Sequence, residues 1–378
     1  MKSQVLEKKV VSAKHSLEIV SLNIEGYEQV LKVVDSQAGL TAIIAIHNTA
    51  LGPALGGIRI YPYATFDAAL KDVLRLAKGM TYKSAVAGVG FGGGKSVIIA
   101  DPKKNKTAQL LLAFGAAVEQ LQGQYICAED VGCCVEDVKI VRKATRYVVG
   151  LPNAKSSGDP GPFTAWGTYR GICATAKHLF GTDSLEGRTV AVQGLGNVGT
   201  HLVSNLFWAG ANVIVADLDM IKAQKLASQF RVRIASASEI LQAECDILAP
   251  CAMGAVLNND TVAKLRCKAV AGCANNQLLD DSHADVLRSR GILYAPDFVI
   301  NAGGLLNVAA ELEEEGYNPA LSRNHVNRIY NTLTSVYTIS DRTGESTHDA
   351  AVALANYRIR YGVGKRVMPP TFHHIIEE

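Results

Sequence analysis

The sequence predicts a two-domain α/β protein, an N-terminal α/β domain followed by a doubly wound domain of the Rossmann type. Three observations predict it. Strand-like and helical segments alternate between residues 165 and 295, the order that builds a parallel sheet wrapped by helices. A glycine fingerprint joins one of those strands to the helix after it. A chain of 378 residues, 48% hydrophobic, suits two cores better than one.

Each element has its own signal. Residues 30–34 and 42–47 are β-branched runs separated by Asp35-Ser36-Gln37-Ala38-Gly39 and read as hairpin strands. Residues 66–78 place Ala69, Leu70, Val73, Leu74 and Leu76 at helical spacing, so Gly79-Met80-Thr81-Tyr82-Lys83 is expected to follow a helix. Residues 107–121 and 136–144 read as two more helices. The stretch 152–162, rich in Pro, Gly, Ser and Asp, is a hinge candidate. Beyond it come a helix (165–179), a strand (189–193), a helix (198–208) and a strand (212–216), then strand-like runs at 246–249, 269–271 and 292–295. From Gly303 onward the chain reads as helical, with final helices at 323–338 and 347–361. The expected domains are 1–149, with the C-terminal segment 346–378 packing back on it, and 150–345.

Composition excludes several classes. Net charge is +3, from 38 basic and 35 acidic residues without charge blocks, which gives no nucleic-acid footprint and no membrane-binding surface. No apolar stretch reaches bilayer length. The opening residues lack an apolar core behind their positive charges, so no secretory signal is expected. The eight cysteines show no C-x-x-C spacing and lie in small, apolar contexts such as Leu248-Ala249-Pro250-Cys251-Ala252, which reads as reduced thiols in a cytoplasmic protein. The nine histidines form no metal-binding pattern, and His373-His374 reads as a solvated tail; no metal site is expected.

The fingerprint is Gly194-Leu195-Gly196-Asn197-Val198-Gly199, directly after the run Thr189-Val190-Ala191-Val192-Gln193. Its glycines allow a tight turn and close approach of backbone N–H groups to a pyrophosphate at a helix N-terminus. Asp217, at the end of the next strand, is placed to bond adenosine ribose hydroxyls, while Asp219 reads equally as a helix cap. No arginine adjoins Asp217 to hold a 2′-phosphate, so NAD is favoured over NADP.

Lys83 and Lys95 stand in almost wholly apolar, glycine-rich surroundings, ending in Gly92-Gly93-Gly94-Lys95. A lysine there loses solvation, and a nearby cation lowers its pKa further, which makes a base near neutral pH. Gly94-Lys95-Ser96 imitates the end of a phosphate-binding P-loop, but the required first glycine falls on Val89. Cys127-Ala128-Glu129-Asp130 sets two carboxylates after a short apolar run; Asp130 near the lysines is either a partner in proton transfer or a helix cap.

These motifs, with Gly52-Pro53-Ala54-Leu55-Gly56-Gly57-Ile58-Arg59 and Asn301-Ala302-Gly303-Gly304, occur in one order that resembles the Glu/Leu/Phe/Val amino-acid dehydrogenase superfamily, closest to its leucine-acting branch. The resemblance runs from about Gly52 to Glu311. It implies a substrate domain and an NAD-binding domain separated by an active-site cleft, and reversible oxidative deamination of an L-amino acid. It implies Lys83 as the carboxylate-binding lysine, Lys95 and Asp130 as the catalytic pair, and Gly56 and Gly57 as backbone against the substrate. Thr164 and Asn275 correspond to residues near the nicotinamide, and Asn197, Val198 and the three glycines to the pyrophosphate turn. Glutamate-acting members carry a lysine where this chain has Leu55 and a serine near Val308, so an apolar, branched-chain substrate is implied, with Asn307 as in the leucine-acting enzymes. Val149 departs from the threonine usual there. A phenylalanine-acting enzyme and an inactive NAD-binding regulator are the alternatives. The family also implies a homo-oligomer, commonly an octamer, acting on small molecules.

Overall fold

The computed structural model describes residues 10–11, 17–152 and 156–373. They form two compact units, one of the described residues up to Gly158 with 308–318 and 357–373, the other of 159–307 and 319–356. The first division falls after Gly158, not after Val149, because the Glu311 carboxylate accepts from Gly150 N–H at 3.0 Å and Ser157 N–H at 2.7 Å and keeps this segment with the first unit. The last helix changes unit at Tyr357, not at residue 346, where Arg358 donates to the carbonyls of Ala85 and Val86.

The first unit holds a seven-stranded mixed sheet: β1 (Val10–Val11), β2 (Leu17–Ser21), β3 (Gln29–Asp35), β4 (Leu40–Asn48), β5 (Ala54–Tyr61), β6 (Gly92–Ile99) and β7 (Tyr125–Glu129), in the order β1-β2-β3-β4-β6-β5-β7. The expected hairpin is β3 and β4, antiparallel from Gln29↔Ile46 to Asp35↔Leu40. β5 runs parallel to both β6 and β7. Helix α1 (Phe66–Ala87) covers one face; α2 (Ala108–Glu119) and α3 (Val135–Arg142) cover the other. The alternation along β4 shows the layering. Ile43 and Ala45 join Ala69, Val73 and Ala77 of α1, whereas Ala42, Ile44 and Ile46 join Leu110, Phe114 and Val138. With helices on both faces, β4 reads as a nearly continuous apolar run.

The lysine segment does not follow α1; it is the end of α1. Thr65 caps the helix through a 3.1 Å bond from Ala68 N–H. Gly79 lies exposed with nothing near its Cα face, so it does not interrupt the helix, which runs to Gly88 in the left-handed conformation.

The second unit holds β8 (Thr189–Gln193), β9 (Asn212–Ala216), β10 (Arg233–Ile234), β11 (Cys245–Pro250), β12 (Cys267–Val270) and β13 (Leu293–Tyr294), all parallel. Their order, β10-β9-β8-β11-β12-β13, reverses direction between β8 and β11, the arrangement of a dinucleotide-binding sheet. The two-residue β10 has no sequence signal and was not expected. Helices α4 (Gly161–Phe180), α5 (Asn197–Trp208), α6 (Met220–Phe230), α7 (Asn259–Val262), α8 (His283–Ser289), α9 (Asp297–Ile300), α10 (Gly303–Ala309), α11 (Pro319–Thr343) and α12 (Thr347–Tyr361) complete the chain. Among the described residues no helix is long and apolar enough to cross a membrane. His373 is not free in solvent, since its Nε2 lies 2.8 Å from the Glu313 carbonyl; His374 lies outside the described residues.

Candidate active site

Period-two alternation assembles the chemistry of the first unit. On β5, Ile58 and Ile60 face α2, so Leu55, Gly57 and Arg59 face α1. On β6, Ile98 faces α2 and Val97 faces α1, so Gly93 and Lys95 share the α1 side with them. The glycine run is not a loop. A β-carbon on Gly93 would strike the backbone of Thr81 in α1, and one on Gly56 would strike the Gly94 carbonyl. The run lets helix and strands pack closely, and Ser96, buried and 3.0 Å from the Tyr125 hydroxyl, sits mid-strand where a P-loop would turn into a helix.

Lys95 is buried, with Nζ 2.9 Å from Asp130 Oδ2. Asp130 lies in a turn, not at a helix cap. Cys133 N–H donates to the Asp130 carbonyl, Gly132 takes φ +79°, and Ile60 N–H donates to the Val131 carbonyl. Lys106 fixes the same turn from outside through the Gly132 carbonyl at 3.1 Å. Gly57 faces the pair: a β-carbon there would lie 2.7 Å from Asp130 Cβ and 3.0 Å from Lys95 Nζ. Leu55 is buried two residues back on the same face, in register with Gly93 and Ile126. Lys83 is half-buried on α1, two residues beyond Thr81. Val308 is half-buried on α10. Val149 is buried, its N–H bonded to the Cys127 carbonyl.

Sequence reasoning missed Arg59. Its Nε lies 3.1 Å from Asp130 Oδ2, the same oxygen that Lys95 contacts, and its NH1 lies 2.9 Å from Asp72 Oδ2. The Tyr63 hydroxyl donates to that Asp72 oxygen at 2.7 Å. Burial lowers the pKa of Lys95, opposed by Asp130 and assisted by Arg59. Arg59 is therefore a cation that acts on Lys95. Burial alone would raise the Asp130 carboxyl, but Lys95 and Arg59 outweigh it and hold it below its usual range. Alternation along β5 was the signal that could have found Arg59.

In the second unit the three fingerprint glycines have three different reasons. Gly194 has φ +95°, and a β-carbon there would meet Ala252 at 2.6 Å. Gly199 packs α5 against the Gly194 carbonyl. Around Gly196, the N-cap of α5, an added β-carbon meets nothing within 4 Å. Leu195 N–H donates to Asp217 Oδ2 at 2.6 Å and Asp219 N–H to Asp217 Oδ1 at 2.8 Å. These bonds outweigh its partial burial and hold Asp217 below its usual range. Asp219 is the helix cap, accepting from Ile221 N–H. Val198 is half-buried, and the Asn197 amide donates to both Asp159 oxygens, at 2.8 and 2.9 Å, tying α5 to the start of α4. Thr164 turns its hydroxyl onto the Pro160 carbonyl, 2.9 Å away, and packs on Gly304. Asn301, also missed, donates to Asn275 Oδ1 at 2.7 Å and to the Cys273 carbonyl, orienting the exposed Asn275; its own buried Oδ1 accepts no bond. Buried Asn307 accepts from Ser322 Oγ at 2.7 Å.

The model of the Glu/Leu/Phe/Val dehydrogenase dimerisation domain matches residues 27–147, and that of the glutamate/leucine/phenylalanine/valine dehydrogenases matches 215–361. Leucine dehydrogenase of Bacillus subtilis is 51% identical, covering 88% of this chain and 91% of its own. The chain belongs to the Glu/Leu/Phe/Val dehydrogenase family. It is therefore an amino-acid dehydrogenase dependent on a pyridine nucleotide. Phenylalanine dehydrogenase of Caldalkalibacillus thermarum is more distant, at 44% over 89% and 92% of the two chains. Among solved structures, the L-tryptophan dehydrogenase of Nostoc punctiforme superposes with a TM-score of 0.80 at 43% identity over 89% of this chain and 97% of that one. The hetero-hexameric glutamate dehydrogenase of Thermus thermophilus follows at 0.72 and 25%, over 94% and 90%.

The second unit fits a dinucleotide. Gly196 leaves open space at an N-terminus with no capping side chain, where amides and helix dipole favour an anion. The Asp217 carboxylate accepts from the N–H groups of Leu195, Asp219 and Leu218, and an ionised carboxylate has about four acceptor positions.

Proposed function

We propose that the protein oxidatively deaminates L-leucine and related branched-chain L-amino acids to 2-oxo acids and ammonia, reversibly, with NAD. The observation that carries this reading is the buried Lys95–Asp130 pair lying against the bare backbone of Gly57. A substrate on that backbone has its α-carbon beside a lysine whose neutral form burial favours. The bound nucleotide supplies the hydride acceptor. Lys95 takes a proton from the water that attacks the resulting substrate iminium and returns one to the departing ammonia. Asp130, kept anionic, stabilises the positive charge of the iminium. Lys83, on α1, binds the substrate α-carboxylate.

Leu55 supports an apolar substrate. It is buried between its strand neighbours Gly93 and Ile126, and a γ-carboxylate there would be desolvated without a partner. The leucine dehydrogenases at about half identity support the branched-chain choice. The space at Gly196 and the carboxylate of Asp217 support NAD, because a 2′-phosphate would meet a like charge. Thr164, Asn197, Val198, Gly194, Gly199 and Asn275 complete the nucleotide-binding set in this reading, and a homo-oligomer in the cytoplasm is its expected form.

A spectrophotometric panel of L-amino acids with NAD and NADP tests the reading through formation of reduced nicotinamide. The largest kcat/KM is expected for leucine with NAD. A larger value for phenylalanine overturns the substrate assignment, and preference for NADP overturns the cofactor assignment. Binding of NADH without turnover of any branched-chain amino acid overturns the reaction.

A further inference from the structure

Two cations share one oxygen of Asp130. Lys95 Nζ lies 2.9 Å and Arg59 Nε 3.1 Å from Oδ2. Only one of them titrates in water's accessible range: guanidinium keeps its proton in proteins, while an ammonium gives its proton up when desolvated. If Lys95 were the sole partner of Asp130, losing its proton would leave a poorly solvated carboxylate uncompensated, and the pair would resist deprotonation. Arg59 removes that obstacle. Its own seat is fixed from the other side, because Asp72 holds NH1 at 2.9 Å and Tyr63 donates to the same Asp72 oxygen at 2.7 Å. Arg75 adds a longer contact to Asp72 at 3.4 Å. The row Lys95, Asp130, Arg59, Asp72 alternates in charge from the buried end to the partly exposed one.

We propose that Arg59, seated by Asp72 and Tyr63, is the permanent counter-ion of Asp130 and thereby the positioning residue that frees Lys95 to act as a base. This rests on the role of Lys95 in the proposed function. The elements packed against β6 carry, among other titratable groups, Arg59 on β5, Asp72 and Lys83 on α1, His47 on β4 and Tyr125 and Glu129 on β7, with Asp130 in the turn after β7. Those acting on it most are Asp130 and Asp72, which favour its charged form, and Arg59, which disfavours it. Arg59 and Asp72 therefore push in opposite directions, so Asp72→Asn, which removes the charge but keeps a side-chain oxygen to seat Arg59, must move Lys95 oppositely to Arg59→Gln.

The experiment measures kcat/KM for deamination against pH with saturating nucleotide for the whole protein, and for Arg59→Gln, Arg59→Lys and Asp72→Asn. In parallel, the rate of acetylation of Lys95 by acetic anhydride against pH is read by peptide mass spectrometry, and thermal unfolding shows which variants fold. Arg59→Gln is expected to move the acidic limb and the acetylation curve to higher pH by about one unit, a roughly tenfold loss at pH values below the limb. Asp72→Asn is expected to move both to lower pH, and Arg59→Lys to lie nearer the wild type. A limb and acetylation curve unmoved in Arg59→Gln, or moved in the same direction by both Asp72→Asn and Arg59→Gln, overturns the proposal. If Arg59→Gln does not fold, Asp72→Asn and Arg59→Lys decide by the same criterion. Acetylation curves that shift as expected in a protein without turnover would refute the proposed reaction and leave the counter-ion role standing.

Discussion

Replacing Gly57 by alanine adds one carbon where Lys95 and Asp130 meet. The new β-carbon would lie 2.7 Å from Asp130 Cβ, 2.8 Å from the Glu129 carbonyl oxygen and 3.0 Å from Lys95 Nζ. Carbon atoms settle at about 3.5–4.0 Å, so Asp130 must retreat by roughly 1 Å. It cannot do so and keep both the 2.9 Å contact to Lys95 and the 3.1 Å contact to Arg59. Overpacking of this kind costs about 1–3 kcal/mol, which lowers the melting temperature of a unit this size by roughly 2–12 °C. A displacement of about 1 Å in catalytic groups costs on the order of 100-fold in rate. The expected result is therefore a folded protein with kcat/KM for leucine reduced about 100-fold and NADH affinity unchanged, measured by steady-state kinetics and fluorescence titration. Gly196→Ala should do the reverse. Its backbone, at φ −71° and ψ −166°, accepts alanine, and the β-carbon meets no protein atom within 4 Å. Its melting temperature should match the wild type while NADH binding weakens. Wild-type turnover in Gly57→Ala would refute the placement of the substrate against this backbone.

Further substitutions separate the roles. Lys95→Ala should abolish turnover with NADH binding intact, whereas Lys83→Ala should chiefly raise KM for the amino acid; equal loss of NADH binding in both would contradict these assignments. Asp217→Ala should weaken NAD and narrow its advantage over NADP, which kcat/KM ratios for the two nucleotides would show. Lys95 also links stability to pH. Because burial lowers its folded pKa, the unfolded chain binds the extra proton between that lowered value and about 10.4, so stability rises with pH across the window. In Lys95→Met, denaturant titrations across that window should lose this rise. In the core, Phe114→Ala, which empties a fully buried position beneath the first sheet, should cost about 3–5 kcal/mol in the same assay.

Much of this protein follows from the order of its residues. The strand 189–193, the fingerprint and the strand 212–216 are local signals, since a β-branched run, three glycines and a cap are chemistry within a few residues of one another. The same locality singled out Lys95 and Asp130 as candidates, because each sits inside a motif, and Asp217 at the end of the strand after the fingerprint. Tertiary structure decided the rest. Apolar spacing places a helix over 66–78 with the lysine segment after it, yet Thr81 packs on Gly93 and the helix continues through Lys83 to Ala87. The glycine run before Lys95, which imitates the end of a P-loop in sequence, is a central strand made bare so that backbones can touch. Arg59 acquires its part only when β5 lies beside β6 and the turn after β7 brings Asp130 across 71 residues of sequence. Periodicity tells which face a side chain takes. Which distant charge it meets there depends on strand order, and no local pattern encodes that.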